Sequence, residues 1–133
     1  MAIEQPSTPP GGGGPIELAR LIENDPTGIV ILNASGRITF CNPAGERILA
    51  LSRSYAVQRT YNSPEWRIAD LDGRPLADSE LPFARVLSTG EAVRDVQHAI
   101  EHADGRRILL SVSAAPLRSA TGTLEGVVAW LQD

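Results

Sequence analysis

The sequence predicts an α+β fold in which helices pack on an antiparallel sheet. Two short β-branched runs form a hairpin near the N-terminus, helical patterns occupy the middle of the chain, and three strand-like runs close it. At 133 residues the chain is long enough for one domain with a modest core, and its apolar content of 42% suits a soluble globular protein.

Composition excludes several classes of function. The net charge of −4 argues against nucleic acid or an anionic membrane as a partner. A lone Cys, Cys41, excludes an internal disulfide, and no metal-ligand spacing accompanies it. The absence of a membrane-length apolar run and of a signal-peptide core predicts a cytoplasmic location. With no nucleophile elbow or phosphate loop, no enzymatic activity is expected.

The N-terminal part divides into a tail and a helix. Residues 1–15 are rich in Pro, Gly, Ser and Thr and are predicted to be a disordered tail or linker, so the folded domain is residues 16–133. An amphipathic helix follows, with Ile16, Ala19 and Ile22 on one stripe. Next, strands Gly28–Leu32 and Arg37–Cys41 form a hairpin, after which Asn42 caps a helix that begins at Pro43.

The middle of the chain has little hydrophobic periodicity before residue 78. Residues 52–77 are punctuated by Pro and Gly and predict a short helix with long loops, one of them anchored by Trp66. Asp78 or Ser79 is predicted to cap a further helix that Gly90 ends. Four acidic residues here are interpreted as turn and cap residues: Glu65, Asp70, Asp72 and Asp78.

The hairpin between residues 92–102 and 106–116 has two possible registers. A two-residue loop would pair His98 with Ser111, whereas a three-residue loop with Gly105 in the left-handed conformation would pair His98 with Leu110. A slip of one residue moves a strand's whole apolar set to the other face, so the pattern selects the register. The three-residue loop is favoured, because it collects the apolar residues on one inner face around His98.

This inner face supplies the candidate ligand-binding residues. A buried His98 ring without a partner is expected to be neutral and to orient a weakly polar ligand, although a structural role is the alternative. His102, beside the turn, is expected to be solvated. The candidate ligand-binding residues are His98, Val96, Ile100, Leu110, Val112, Ala114, Val127, Ala129 and Leu131.

The outer face and the N-terminal helix form a candidate dimer interface. Val128 and Trp130 alternate with the inward residues of the last strand. A large aromatic side chain on the outer face is expected to be covered by the N-terminal helix, by a second subunit or by both. The helix is too short to be stable alone. The candidate interface residues are Ile16, Ala19, Ile22, Val128 and Trp130.

Four segments in this order resemble a PAS domain: ITFCNPAGERIL, DGRPLADSELPFARVLSTGE, HADGRRILLSVSAAPL and GTLEGVVAWLQD. The resemblance covers roughly residues 16–133 and implies a five-stranded antiparallel sheet of order 2-1-5-4-3, with helices on one face around a small cavity. Bacterial PAS domains are sensory and dimerising modules, often upstream of two-component histidine kinases or cyclic-dinucleotide enzymes. The resemblance therefore implies a parallel homodimer that relays a signal to a C-terminal effector domain.

Two functional hypotheses follow from the resemblance. The domain either senses a small apolar or weakly polar molecule in its cavity or acts as a ligand-free dimerisation and protein-interaction scaffold. Flavin–cysteinyl photochemistry is not expected, because the region about Ser52 to Asn62 has no Cys. The helix matching Ser79–Thr89 carries no His for haem, which leaves ligation through His98 as a minor alternative.

Overall fold

The computed structural model describes residues 15–57 and 59–133, with side chains in the first helix described from Arg20 onward. The predicted tail, residues 1–15, therefore lies outside the described residues apart from Pro15. Two short 3₁₀ turns, Pro64–Trp66 and Asp78–Glu80, accompany the main elements. These elements are α1 (Pro15–Asn24), β1 (Gly28–Asn33), β2 (Ile38–Cys41), α2 (Pro43–Leu49), α3 (Arg53–Ala56), α4 (Pro82–Thr89), β3 (Val93–Glu101), β4 (Arg107–Arg118) and β5 (Leu124–Gln132).

The five strands form one antiparallel sheet in the order β2-β1-β5-β4-β3, which confirms the predicted fold class and strand order. Helices α2 and α4 pack against the sheet and enclose the core on its inner face. In the part of the chain that the structure describes, no helix is long and apolar enough to cross a lipid bilayer.

The hairpin between β3 and β4 has the predicted three-residue loop. His98 pairs with Leu110, and Ile100 pairs with Ile108. The His102 backbone N–H donates to the Arg106 carbonyl at 2.8 Å and closes the loop, in which Gly105 has a φ of +89°. This register places His98 on the inner face, as the alternation of apolar residues predicts.

Asn42 ties the first helix to the sheet. Its side chain is fully buried, and its Oδ1 accepts hydrogen bonds from the backbone N–H groups of Gly45 and Ile29, each at 2.8 Å. Its Nδ2 donates to the carbonyls of Ile22 (2.9 Å) and Thr27 (3.0 Å). The predicted cap of α2 is thus confirmed, and the same side chain joins α1, β1 and α2.

The start of α4 differs from the prediction. The helix begins at Pro82 and not after Asp78 or Ser79, because Leu81 is held extended, with φ −77° and ψ 147°. Residues that precede a proline are sterically disfavoured from the helical region. Asp78 and Ser79 belong to the separate 3₁₀ turn. The predicted end is confirmed, since Gly90 adopts a left-handed φ of +72°.

Ala99 is buried although the alternation of β3 places it on the outer side with Gln97. Only 2% of its surface is exposed, because the loop that follows the first 3₁₀ turn covers the edge of β3. Ala69 and Ala99 exchange two backbone hydrogen bonds, at 2.8 and 3.0 Å. Arg107 Nη2 holds the same loop through the Leu71 carbonyl at 2.9 Å. The alternation of apolar and polar residues in β3 does not indicate that this loop lies over Ala99.

Candidate functional site

A cavity of about 100 Å³ lies between the inner face of the sheet and the helices. Six of the nine predicted ligand-binding residues line it: His98, Ile100, Leu110, Val112, Ala129 and Leu131. The other three lie elsewhere. Ala114 and Val127 are buried in the neighbouring core, and Val96 is half-buried where a bulge interrupts the pairing of β3 with β4.

The rest of the wall consists of residues that the sequence interpretation did not place at the site. From β1 and β2 come Val30, Leu32 and Ile38, whose alternation with their neighbours was a usable signal. From the helices and loops come Leu49, Tyr61, Trp66, Ile68, Leu81, Pro82 and Phe83. Tyr61 and Ile68 lie in a segment without periodicity, so no sequence pattern indicated that they face the cavity.

Aromatic side chains hold the loop side of the cavity in place. Trp66 is 8% exposed, and its Nε1 donates to the Thr60 carbonyl at 2.8 Å, which confirms its predicted role as a loop anchor. The rings of Tyr61 and Phe83 pack with their centroids 4.5 Å apart. Loop and α4 thereby form one wall opposite the sheet, and the cavity lies between them.

His98 is the one imidazole among the described residues that line this cavity. The side chain is 5% exposed, and its Nδ1 has no hydrogen-bond partner in the described part of the chain. Burial is the dominant influence on this ring and lowers the pKa of His98. The neutral ring offers one donor and one acceptor, which suits a weakly polar ligand.

His102 is buried, which contradicts the prediction that it is solvated. The residue is 6% exposed, and its Nε2 lies 2.8 Å from the Ile48 carbonyl. The end of β3 therefore packs against the last turn of α2. A position beside a hairpin turn gave no indication of this contact, because it depends on residues more than fifty positions away.

Apolar side chains continue onto the outer face of the sheet. Trp130 is 37% exposed and pairs with Ile29 on β1 and Ser113 on β4. Val128, its neighbour on the same face, is half-buried and pairs with Ile31. Of the predicted interface residues on α1, Ile22 is half-buried, while the side chains of Ile16 and Ala19 lie outside the described residues.

Cys41 is a buried apolar side chain, as predicted, with no exposed surface. Burial, and to a smaller extent the charge of Glu46, raises the pKa of its thiol to about 11. The thiol is therefore protonated at neutral pH and is a poor nucleophile. Among the described residues no three His, Cys, Asp or Glu side chains are grouped to hold a metal ion.

Comparison with known proteins bears on the fold and the family. The sequence model of the PAS fold matches residues 16–133. A PAS domain from Colwellia psychrerythraea superposes with a TM-score of 0.70 at 16% identity, covering 89% of this chain and 94% of that one. The PAS domain of nitrogen regulation protein NR(II) from Vibrio parahaemolyticus has a TM-score of 0.67 at 20% identity, covering 87% and 96%.

A third similar structure is that of the Vibrio cholerae VqmA dimer in the absence of target DNA. It has a TM-score of 0.67 at 19% identity, and the match covers 89% of this chain and 52% of that one. A search of curated protein sequences finds no match. Likeness at these identities establishes the fold, and the family model covers nearly the whole chain. The chain belongs to the PAS family.

Proposed function

We propose that this domain is a sensory module that binds a small apolar or weakly polar molecule in the cavity beside His98 and relays its presence to an effector domain such as a histidine kinase. The observation that carries the proposal is a buried imidazole on an otherwise apolar and aromatic wall. A buried polar atom without a partner costs about 1–3 kcal/mol. A ligand that forms a hydrogen bond with the ring would offset that cost.

The volume of the cavity limits the size of the ligand. Drug-sized ligands occupy pockets of roughly 300–1,000 Å³, and an apolar cavity of about 150 Å³ holds benzene. A cavity of about 100 Å³ therefore suits a molecule of a few heavy atoms, such as a short alcohol or ketone. Haem does not fit this space, so the proposal assigns no iron ligation to His98.

Strand β5 offers a route from the cavity to the outer face. Ala129 and Leu131 line the cavity, while Val128 and Trp130 alternate with them on the opposite side. A ligand that displaces the inner pair would shift the same strand on its outer side. The proposal is that this displacement changes how the outer face meets a partner.

The outer face is proposed as the surface through which the domain forms a homodimer together with α1. Trp130 exposes 37% of its surface there, beside Val128 and Ile31. Burial of such side chains yields about 25 cal/mol per Å² of apolar surface. VqmA of Vibrio cholerae, which shares the fold, is a dimer. A cytoplasmic location and an effector that follows the domain complete the proposal.

The test is a thermal-shift screen of small alcohols, ketones and aromatic compounds with wild-type protein and His98→Ala, followed by native mass spectrometry. We expect one class of compound to raise the midpoint temperature of the wild type and to lose most of this effect with His98→Ala. Binding that is equally strong with the variant would contradict the role of His98. If no compound binds while the protein is a dimer, the ligand-free scaffold is the better interpretation.

A further inference from the structure

A second cavity, of about 200 Å³, lies beside the first and has a different chemical character. The two cavities share the side chains of Leu49, Trp66 and Ile100 as a common wall. On the far side of that wall lie His102 and several charged residues. We call this second cavity the His102 cleft. It lies between the end of α2, the first 3₁₀ turn and the end of β3.

The hydrogen bond of His102 to α2 determines the chemistry of its ring. A carbonyl oxygen only accepts, so the 2.8 Å contact with Ile48 places the hydrogen on Nε2. In the neutral ring, Nδ1 is then an acceptor. Nδ1 is buried and has no partner among the described residues. His102 is one of the residues that line the cleft. The site therefore lacks a hydrogen-bond donor.

Among the charged residues that line the cleft, some carboxylate oxygens can still accept hydrogen bonds. Glu101 forms an ion pair with Arg67 through Oε2 at 3.0 Å, which leaves its Oε1 outside that pair. Glu65 is held by Arg59 and by the Tyr55 hydroxyl. Arg67 of the cleft and Arg59, which lies outside its lining, are thus already engaged by carboxylates, whereas the His102 ring and Glu101 retain lone pairs.

We propose that the His102 cleft is a second binding site, which takes a small primary ammonium compound with a short apolar body. The ammonium group donates to His102 Nδ1 and to Glu101 Oε1, and the apolar body lies against Leu49, Trp66 and Ile100. Because Nδ1 is buried, the donor must be compact, and the lining side chains shift to admit it. The indole of Trp66 adds an aromatic surface, which favours cations.

This site is independent of the ligand proposed for the inner cavity. The inner cavity has an almost wholly apolar lining, which selects against a charged molecule. The His102 cleft includes Glu65, Arg67 and Glu101 and so tolerates a charge. The two sites therefore differ in the class of molecule they bind, although they share a wall.

The test uses n-butylamine, with butan-1-ol and butyrate as probes of the same length but different charge. The chain has two histidines, so a nitrogen-15 spectrum of the imidazoles reports on both cavities at once. At mildly alkaline pH, where a free imidazole is neutral, we expect n-butylamine to shift the Nδ1 resonance of His102. Butan-1-ol is expected to bind more weakly, and butyrate is expected not to bind.

Three variants complete the experiment. His102→Gln keeps a side-chain donor for the Ile48 carbonyl but replaces Nδ1 by a carboxamide oxygen at a different position, and Glu101→Gln removes the carboxylate. We expect each to weaken n-butylamine by at least about tenfold, as expected for a hydrogen bond to a charged group. Glu125→Gln is the matched control, because it removes an exposed carboxylate of β5 that does not line the cleft, and it is expected to leave the affinity unchanged.

Several outcomes would overturn the proposal. These are no shift at His102, a preference for butyrate, an affinity unaffected by His102→Gln, or an ordered water as the only partner of Nδ1. The result for the inner cavity remains separate, because a ligand there shifts the resonances of His98. Failure at one histidine with binding at the other therefore distinguishes the two proposals.

Discussion

His98 and Leu110 lie directly opposite each other on β3 and β4, and both side chains form the same wall of the inner cavity. They are 5% and 3% exposed, respectively. The imidazole therefore has an aliphatic neighbour across the strand pair and no polar side chain at that position. The register of one hairpin thus determines both the packing of the sheet and the chemistry of the cavity.

Leu110→Ala is expected to lower the free energy of unfolding by about 2–5 kcal/mol, because it removes a buried side chain and enlarges the cavity. Glu101→Ala, at the end of β3, is expected to change it by less than about 0.5 kcal/mol, since its ion pair with Arg67 is largely exposed. Urea denaturation of both variants gives the comparison. A cost below about 1 kcal/mol for Leu110→Ala would show that the cavity wall relaxes around the smaller residue.

Protonation of His98 is expected to lower the free energy of unfolding in mild acid. Burial lowers its pKa in the folded state, so the unfolded chain binds the proton more readily. The contribution of the neutral His98 ring to the free energy of unfolding is complete above the pKa of about 6.5 that this residue has in the unfolded chain. The contribution falls as the pH decreases from there to the pKa in the folded state. Below the folded pKa the loss is constant.

The measurement is the free energy of unfolding of wild type and His98→Gln at a series of pH values. We expect the difference between the two curves to change only in that window. A difference that is independent of pH would mean that the ring is not protonated more readily in the unfolded chain.

Asn42 is expected to be the most sensitive polar residue of the described chain. Asn42→Ala removes the cap of α2 and leaves buried backbone groups without partners, so we expect a loss of at least about 2 kcal/mol. Asn42→Ser retains an oxygen that can cap the helix but loses the Nδ2 contacts with Ile22 and Thr27. An intermediate loss is therefore expected for Ser. Equal stabilities of both variants by urea denaturation would show that the cap contributes nothing and that the Nδ2 contacts account for the loss.

Cys41 is expected to react slowly with a soluble disulfide reagent such as Ellman's reagent. Its thiol is fully buried, and its pKa of about 11 keeps the thiolate population small at neutral pH. The same thiol is expected to react rapidly in urea, where the chain is unfolded. Fast reaction in native buffer would indicate that β2 opens locally. Phe40, the half-buried neighbour of Cys41 on that strand, would then be expected to exchange its amide quickly as well.

The hairpin of β3 and β4 shows what sequence periodicity predicts well. A slip of one residue would have placed Gln97 and Glu101 beside apolar residues, so the pattern contained enough information to select the register. The cap at Asn42 was predictable for a similar reason, because the signal is local. His102 was misplaced, because its burial depends on a contact with α2. Ala99 keeps its predicted side of the sheet, but its burial depends on the loop at Ala69. Neither contact leaves a periodic signal near these residues in the chain.

Part of the cavity wall could not be predicted from the sequence for the same reason. Tyr61 and Ile68 lie in irregular backbone, where facing direction follows from the path of the loop and not from a repeat. Val96 shows the converse case. The alternation of β3 places it with His98, but the bulge between Val93 and Val96 at the sheet edge leaves it only half-buried and outside the cavity lining.

Trp130 provides the most direct test of the proposed homodimer. Trp130→Glu places a charge on the outer face beside Val128, so a dimer that buries this face would have to desolvate a carboxylate without a partner. We expect the variant to be monomeric at concentrations where the wild type is a dimer. Light scattering coupled to size-exclusion chromatography measures the mass directly.

Leu87→Glu is the matched control for this variant. Leu87 is 36% exposed on α4, which packs against the inner face of the sheet, so the same change of charge is expected to leave the mass unaltered. Deletion of residues 1–24 tests the contribution of α1 separately, and a partial loss of dimer is expected from it. A Trp130→Glu protein with the mass of the wild type would remove the outer face from the interface, and an unchanged mass after the deletion would remove α1.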